Sequence, residues 1–318
     1  MPLVFLFPGQ SSVSLHALAR ARRAHPAADA VATRAAGVLG PADTAAYLGG
    51  ETARLDTNRD VQIVVFLASQ MYLHGLAAEG VTASASLGLS LGEYSHLVHI
   101  GALTFEDALA LVGARGRCYD DAPPGIMVTV LGADREAVTT VVAGAAARGC
   151  AVVSNFNAPT QHVLAGEADA VAWAAATLED EYGAHTTVIE ERVPMHSPLM
   201  TPVGKAFAAH LRTAAWQPPR ADYLPNVSAT PVPDATAADF VAALTAHVSA
   251  PVLWQRSLDH AAATRPAATF VEVGPGGVLH NMLGRGWKAL RRARLDAPDA
   301  HDPAQHFMTT VEGLRAAH

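Results

Sequence analysis

Residues Ser86-Leu-Gly-Leu-Ser-Leu-Gly-Glu-Tyr-Ser-His96 contain, at their centre, Gly88-Leu89-Ser90-Leu91-Gly92. A serine flanked at two residues' distance by glycines is the form of a strand-to-helix turn that lifts a nucleophilic hydroxyl above the edge of a parallel sheet. Small residues there let backbone approach backbone, and the helix that follows points its free N–H groups and its dipole toward developing negative charge. The five residues are common ones, so a plain strand-helix turn stays open until the rest of the chain is read.

The first 120 residues alternate short apolar runs with longer helical patterns: Leu3 to Phe7, Asp60 to Ala78, Val81 to Gly88, Leu91 to Ile100 and Thr104 to Tyr119. That alternation predicts a parallel sheet covered by helices. The turn residues Asp120-Asp-Ala-Pro-Pro-Gly125 interrupt it, and a self-contained series then runs to Pro194. Within the series the spacing predicts strand Ile126 to Leu131, helix Asp134 to Arg148, strands Ala151 to Phe156 and Gln161 to Ala165, helix Ala168 to Tyr182 and strand His185 to Val193. The order βαββαβ is the ferredoxin-like arrangement. Afterwards the pattern predicts a helix from Pro198 to Trp216, a strand near Tyr223 to Val227, helices starting at Ala237 and Val252, and a strand Thr269 to Val273, before Gly274-Pro-Gly-Gly277 turns into a last packed helix. The expected fold is α/β: an α/β-hydrolase-like large unit from residues 1–125 and 194–318, with an inserted ferredoxin-like small unit of residues 126–193.

With 318 residues, half of them apolar and 16% charged, the chain can bury a large core, which excludes a disordered chain and a small stapled scaffold. A formal net charge of -7 argues against a nucleic-acid binder, which needs surplus Lys and Arg to neutralise phosphates. The apolar start ends at Pro8, too short for a signal peptide or membrane span, and predicts a buried first strand of a cytoplasmic protein. Cys118 and Cys150 are the only cysteines and neither has a metal-ligand spacing, so buried free thiols and no metal are expected.

A serine nucleophile needs a base, and fifteen histidines make arbitrary pairing worthless. His196 stands out in Val193-Pro-Met-His-Ser-Pro-Leu-Met200, where prolines fix the chain on both sides at the junction of the two units. Such a junction is a natural wall of a cleft. A helix-capping role for His196 is also open, and His280 is the competitor if the chain follows the hydrolase order Ser, Asp, His.

Pro8-Gly-Gln10, Gly88-Leu-Ser-Leu-Gly-Glu93, Arg115-Gly116, Asn155-Phe-Asn-Ala-Pro159 with Gln161, Val193-Pro-Met-His196, Pro251-Val-Leu-Trp254 and Glu272-Val-Gly-Pro-Gly276 follow one another along the chain. In order and approximate spacing this series resembles the malonyl-CoA:acyl carrier protein transacylases and the acyltransferases of polyketide synthases, in their free-standing form. The resemblance runs from Leu3 to about Arg292. It implies that Ser90 takes an acyl group from acyl-CoA as an ester, with His196 accepting the serine proton and returning it to the departing thiol. It also implies that His196 is oriented by a backbone carbonyl, here that of Ala250 or a neighbour, and that the oxyanion is held by the backbone N–H groups of Gln10 and Leu91.

Arg115 falls where malonyl-type relatives keep an arginine for the substrate's free carboxylate, which a guanidinium binds through two parallel hydrogen bonds. Gln62, Asn155 and Asn157, with Gln10, fall where the family lines its pocket with amides. Leu89 stands where many relatives have histidine, and Ser11 and Ser12 replace a usual Gly-Ser. Met195, beside the substrate's α-carbon by resemblance, is a flexible thioether able to fill space against malonyl or to admit a branched unit.

No bound cofactor is implied: acyl-CoA is the donor and the phosphopantetheine thiol of an acyl carrier protein the acceptor, in fatty-acid or polyketide synthesis, with the enzyme a monomer. The basic segment Arg285, Lys288, Arg291, Arg292 and Arg294 is the candidate dock for an acidic carrier, with Arg20, Arg22 and Arg23 a second; a solvated helix face is the plainer reading of the first. An editing acyl hydrolase or a carrier-to-carrier acyltransferase on the same scaffold is the alternative, and a non-catalytic docking protein is disfavoured by the intact Ser90, His196, Gln10 and Arg115.

Overall fold

Leu3–Phe7 forms β1, and all of its residues are buried. Its alternation splits it between two cores: Leu3, Phe5 and Phe7 face one, Val4 and Leu6 the other. A strand buried on both faces belongs inside a parallel sheet with helices on each side. In this computed structural model, which describes residues 2–49 and 55–316, β1 pairs in parallel with β2 (Ala85–Gly88) and with β7 (Thr269–Glu272), and β7 with β8 (Arg291–Arg294). Residues 1, 50–54 and 317–318, all within the spans expected for the large unit, lie outside the described ones.

The helices Asn58–Ala78, Gly92–His99 and Phe105–Asp120 carry the first core. Asn58–Ala78 is long and apolar enough to cross a membrane by composition, but most of it is buried inside the protein. Trp254, Leu258, Leu279 and Met282, from the helices Trp254–Thr264 and Val278–Gly286, fill the second.

The other sheet is antiparallel and draws every strand from residues 126–190, in the order β4-β5-β3-β6. β3 is Ile126–Leu131, β4 Ala151–Ala158, β5 Gln161–Gly166 and β6 His185–Glu190, with the helices Arg135–Gly144 and Ala168–Tyr182 packed on one face. This is the expected βαββαβ order, with β3 and β5 in the middle. One edge of it is stitched to the remainder of the chain: Phe156 N donates to Val252 O and Val252 N to Ser154 O.

Four expectations give way. No strand forms at Tyr223 to Val227; Tyr223 makes only an isolated bridge to Val232, because Pro218, Pro219, Pro225, Pro231 and Pro233 remove the donors a ladder needs. The helix after Gly277 is not the last element: β8 and the helix Pro303–Ala316 follow it. The segment Arg291 to Arg294, read as a helix face, is instead an edge strand whose charges protect it from further pairing. The two cysteines are free but only half-buried.

The turn at Ser90 depends on its two glycines. A Cβ on Gly88 would lie 2.2 Å from the Gly92 carbonyl carbon, and one on Gly92 would lie 2.1 Å from Phe7 O. Both neighbours are main chain and cannot swing aside. Gly92→Ala is therefore expected to lower unfolding free energy by about 2 kcal/mol or more. Gly37→Ala, on an exposed helical surface with nothing within 4 Å of the added carbon, is expected to raise it by about 0.5–1 kcal/mol. Denaturant titration of the two variants checks both signs.

Candidate active site

Ser90 stands between the end of β2 and the helix Gly92–His99 with φ +50°, a left-handed conformation that costs a non-glycine residue about 1–2 kcal/mol. Asn226 holds the strained turn from the side. Its Oδ1 accepts from Ser90 N at 2.9 Å, and its Nδ2 donates to Gly88 O at 2.8 Å, with the side chain buried. Asn226 carries no signal of this role in the sequence, where Pro225-Asn226 reads as turn chemistry and nothing local ties it to a residue 136 positions away.

His196 faces Ser90, with Nε2 2.8 Å from Oγ. Its φ is +61°, so two of the four non-glycine residues with positive φ among the described residues are this pair. Strain concentrated at two facing polar groups points to function. His196 N donates to Val248 O at 3.2 Å, and Nδ1 donates to the carbonyl of His247 at 2.7 Å. A carbonyl only accepts, so the proton of the neutral ring sits on Nδ1 and leaves the Nε2 lone pair for the serine hydroxyl.

That carbonyl corrects the expectation of Ala250. The helix Ala237–His247 ends at His247, and the carbonyl of this last residue falls under the imidazole; Ala250 lies beyond, after the chain has passed over His196 N. His280 is no competitor: its ring nitrogen contacts Asn281 and its N–H donates to Glu272. Burial holds the proton affinity of His196 well below the ordinary histidine range. Electrostatic interaction with the stacked His247 and with Arg115 pushes the same way, and the bond to the His247 carbonyl opposes them.

Arg115, on the helix Phe105–Asp120, is 1% exposed and lies with Nη2 3.4 Å from Ser90 Oγ. Its guanidinium carbon is 4.2 Å from the centre of the Tyr119 ring, while Nη1 has no partner and no carboxylate lies within salt-bridge distance among the described residues. A buried cation without an anion is costly, and Nη2 of this one reaches the Ser90 hydroxyl.

A cavity of about 570 Å³ opens over Ser90 and His196, with Arg115 behind its wall and not lining it. Gln10, Leu89, Asn155, Asn157 and Met195 line it as expected, joined by Met127, Met282, Val163 and Ile189. Asn155 and Asn157 share one face of β4, two residues apart, and Asn157 Oδ1 is buried without a partner. Gln62 departs from expectation: it lies behind Gln10, donating to Gln10 Oε1 at 3.1 Å, and does not reach the cavity wall. Asn58 accepts from Gln10 Nε2 on the other side, so the Gln10 side chain is fixed at both ends. Ser11 lines the cavity and Ser12 closes the loop through Gly9 O. Gln10 begins a short 3-10 turn and Leu91 precedes the helix, so both backbone N–H groups are of the kind left without an intrahelical partner.

Arg285, Lys288, Arg291 and Arg292 are exposed, and Arg285 donates to Gln161, itself a cavity-lining residue, at 3.1 Å. The second basic candidate fails in part, because Arg20 is buried in an ion pair with Asp296 at 2.7 Å and Arg22 pairs with Asp29.

Residues 4–314 match the family model described as the acyl transferase domain. A malonyl CoA-acyl carrier protein transacylase of Escherichia coli K12 is 31% identical, over 93% of this chain and 96% of that protein; one of Bacillus subtilis 168 is 29% identical over 93% and 94%. Among solved structures, a malonyl-transacylase in complex with its type II polyketide synthase acyl carrier protein superposes with a TM-score of 0.88 at 27% identity, covering 98% of this chain and all of that one. The malonyl CoA-acyl carrier protein transacylase of Clostridium perfringens gives 0.89 at 25% identity, over 99% of this chain and 98% of that one. Matched from near its first strand to its last helix, the chain belongs to the acyl transferase domain family.

Proposed function

We propose that the protein transfers a malonyl unit, or an α-substituted one, from CoA to the phosphopantetheine thiol of an acyl carrier protein, through an ester on Ser90. The observation that carries this reading is the buried, unpaired guanidinium of Arg115 beside the nucleophile. An acyl group with a free carboxylate supplies the missing anion, whereas an uncharged acyl chain leaves the cation unpaired.

In the first half-reaction Ser90 Oγ attacks the thioester carbonyl as His196 Nε2 takes its proton. The tetrahedral oxyanion is met by the backbone N–H groups of Gln10 and Leu91, donors held by tight turns that need no reorganisation as charge appears. His196, now protonated, gives its proton to the departing CoA thiol. In the second half-reaction the carrier thiol loses its proton to His196 and attacks the serine ester, and the proton returns to Ser90. Every group named comes from one chain, so the reading needs no second subunit, and it takes the enzyme to be monomeric and cytoplasmic. Asn155 and Asn157 fit as amides along the acyl-pantetheine path, and Leu89 and Met195 as apolar walls beside the acyl group. Arg285, bonded to the cavity-lining Gln161, with the exposed Lys288, Arg291 and Arg292, is the dock this reading assigns to an acidic carrier.

Arg115→Ala is expected to reduce kcat/KM for malonyl-CoA about a hundredfold, the loss of two charge-assisted hydrogen bonds, and to leave acetyl-CoA turnover equal or higher; competition between the two thioesters measures it. Unchanged selectivity contradicts the reading and favours hydrolytic editing of uncharged chains.

The base works only when neutral, and burial lowers the proton affinity of His196. The acid limb of kcat/KM, which reports the free enzyme, is therefore expected below pH 6.5, the ordinary histidine value. A limb at or above that value contradicts the assignment. Charge reversal at Arg285 and Lys288 is expected to raise KM for the carrier protein and flatten its salt dependence, with KM for malonyl-CoA unaltered.

A further inference from the structure

The carbonyl that orients His196 belongs to a residue whose own side chain is anchored. The His247 ring is buried and stacks on the His196 ring, with centroids 4.8 Å apart and planes 19° from parallel. Its Nδ1 lies 2.9 Å from Glu93 Oε2, both side chains being almost fully buried. Glu93 Oε1 accepts from Tyr223 Oη at 2.5 Å.

Glu93 stands three residues after Ser90, in the first turn of the helix that the nucleophile begins. There the helix dipole favours its negative charge. The same carboxylate thus touches the nucleophile's helix through its own backbone, the base's support through His247, and the loop that holds Ser90 through Tyr223. That loop also carries Asn226, bonded to Ser90 N. A main-chain carbonyl at the end of a helix is free to fray; one whose residue is clamped by a buried carboxylate and stacked against the imidazole is not.

We propose that Glu93 and His247 are a positioning pair: Glu93 fixes His247, and His247 fixes His196 through its backbone carbonyl and its ring face, so that the acid of this site acts one residue removed from the base. The proposal rests on the assignment of Ser90 and His196 as nucleophile and base. It predicts effects on the rate of acylation and not on thioester binding, because Arg115 and the cavity walls are untouched.

Rapid-quench malonylation of Ser90 by malonyl-CoA tests it, with KM read from the same concentration series. His247→Ala and Glu93→Ala are each expected to slow acylation about tenfold to a hundredfold, the scale of a sub-ångström to ångström misplacement of a catalytic group, with KM within about twofold. His247→Gln keeps the carbonyl and offers an amide N–H to Glu93, and is expected to recover the rate to within about threefold of wild type. The double alanine variant is expected to be no slower than the slower single one, since both cut one linkage. Glu93→Gln fills the same volume and serves where Glu93→Ala fails to fold; it is expected to slow acylation by at least about threefold through loss of the charge-assisted bonds. Wild-type rates in the single variants, losses that appear in KM, additive losses, or a His247→Gln variant as slow as His247→Ala overturn the pairing. A wild-type chain that forms no Ser90 ester removes the assignment beneath it, a separate and recognisable failure.

Discussion

The close approach of Gly92 to the main chain of Phe7 and Pro8 is the contact on which the site depends. It brings the end of β2, which carries Ser90, against the end of β1, which carries Gln10. Only a residue without a side chain permits it. The ends of adjacent parallel strands are where α/β proteins place their ligands, and here they bring Ser90 and Gln10 to one cavity. The hydrophobic halves of β1, buried on both faces, hold that point still by anchoring the strand in two cores at once.

Around the contact the chain builds a polar frame from residues far apart in sequence. Asn226 supports the strained turn, Gln62 and Asn58 fix Gln10, and the His247 carbonyl selects the tautomer of His196. Each buried donor or acceptor so engaged is one that would destabilise the fold if left unmade, and together they specify one geometry. Arg115 stands apart as a buried cation with no anion within salt-bridge distance among the described residues. On the proposed reading a ligand's carboxylate completes the frame, and a structural deficit becomes substrate selection.

Much of this was legible in the sequence because the chemistry is local. Gly88 and Gly92 flank Ser90 within five residues, the prolines around His196 mark its loop, and the strand-helix periodicity located the inserted antiparallel sheet to within a few residues at each element. What was not legible depends on main-chain atoms or on distant pairs. A carbonyl acceptor leaves no residue-type signature, so His247 could not be told from Ala250. Asn226 and Glu93 gain their meaning only when the fold brings them to Ser90 and His247. Arg291 to Arg294 has the composition of a solvated helix and becomes a strand only because Thr269–Glu272 offers an open edge. Gln62 sits one helical step from the cavity wall, where Val61 is found instead, a difference of direction that spacing alone does not encode.

The central claim is that Ser90 is a relay between two thiols. Intact-protein and peptide mass spectrometry of the chain mixed with malonyl-CoA, before and after addition of a holo acyl carrier protein, tests it most directly. The account predicts a malonyl ester confined to the Ser90 peptide, absent from Ser90→Ala, that disappears as malonyl appears on the carrier's phosphopantetheine. An ester that forms elsewhere, or one lost to water at the same rate with and without the carrier, would contradict it.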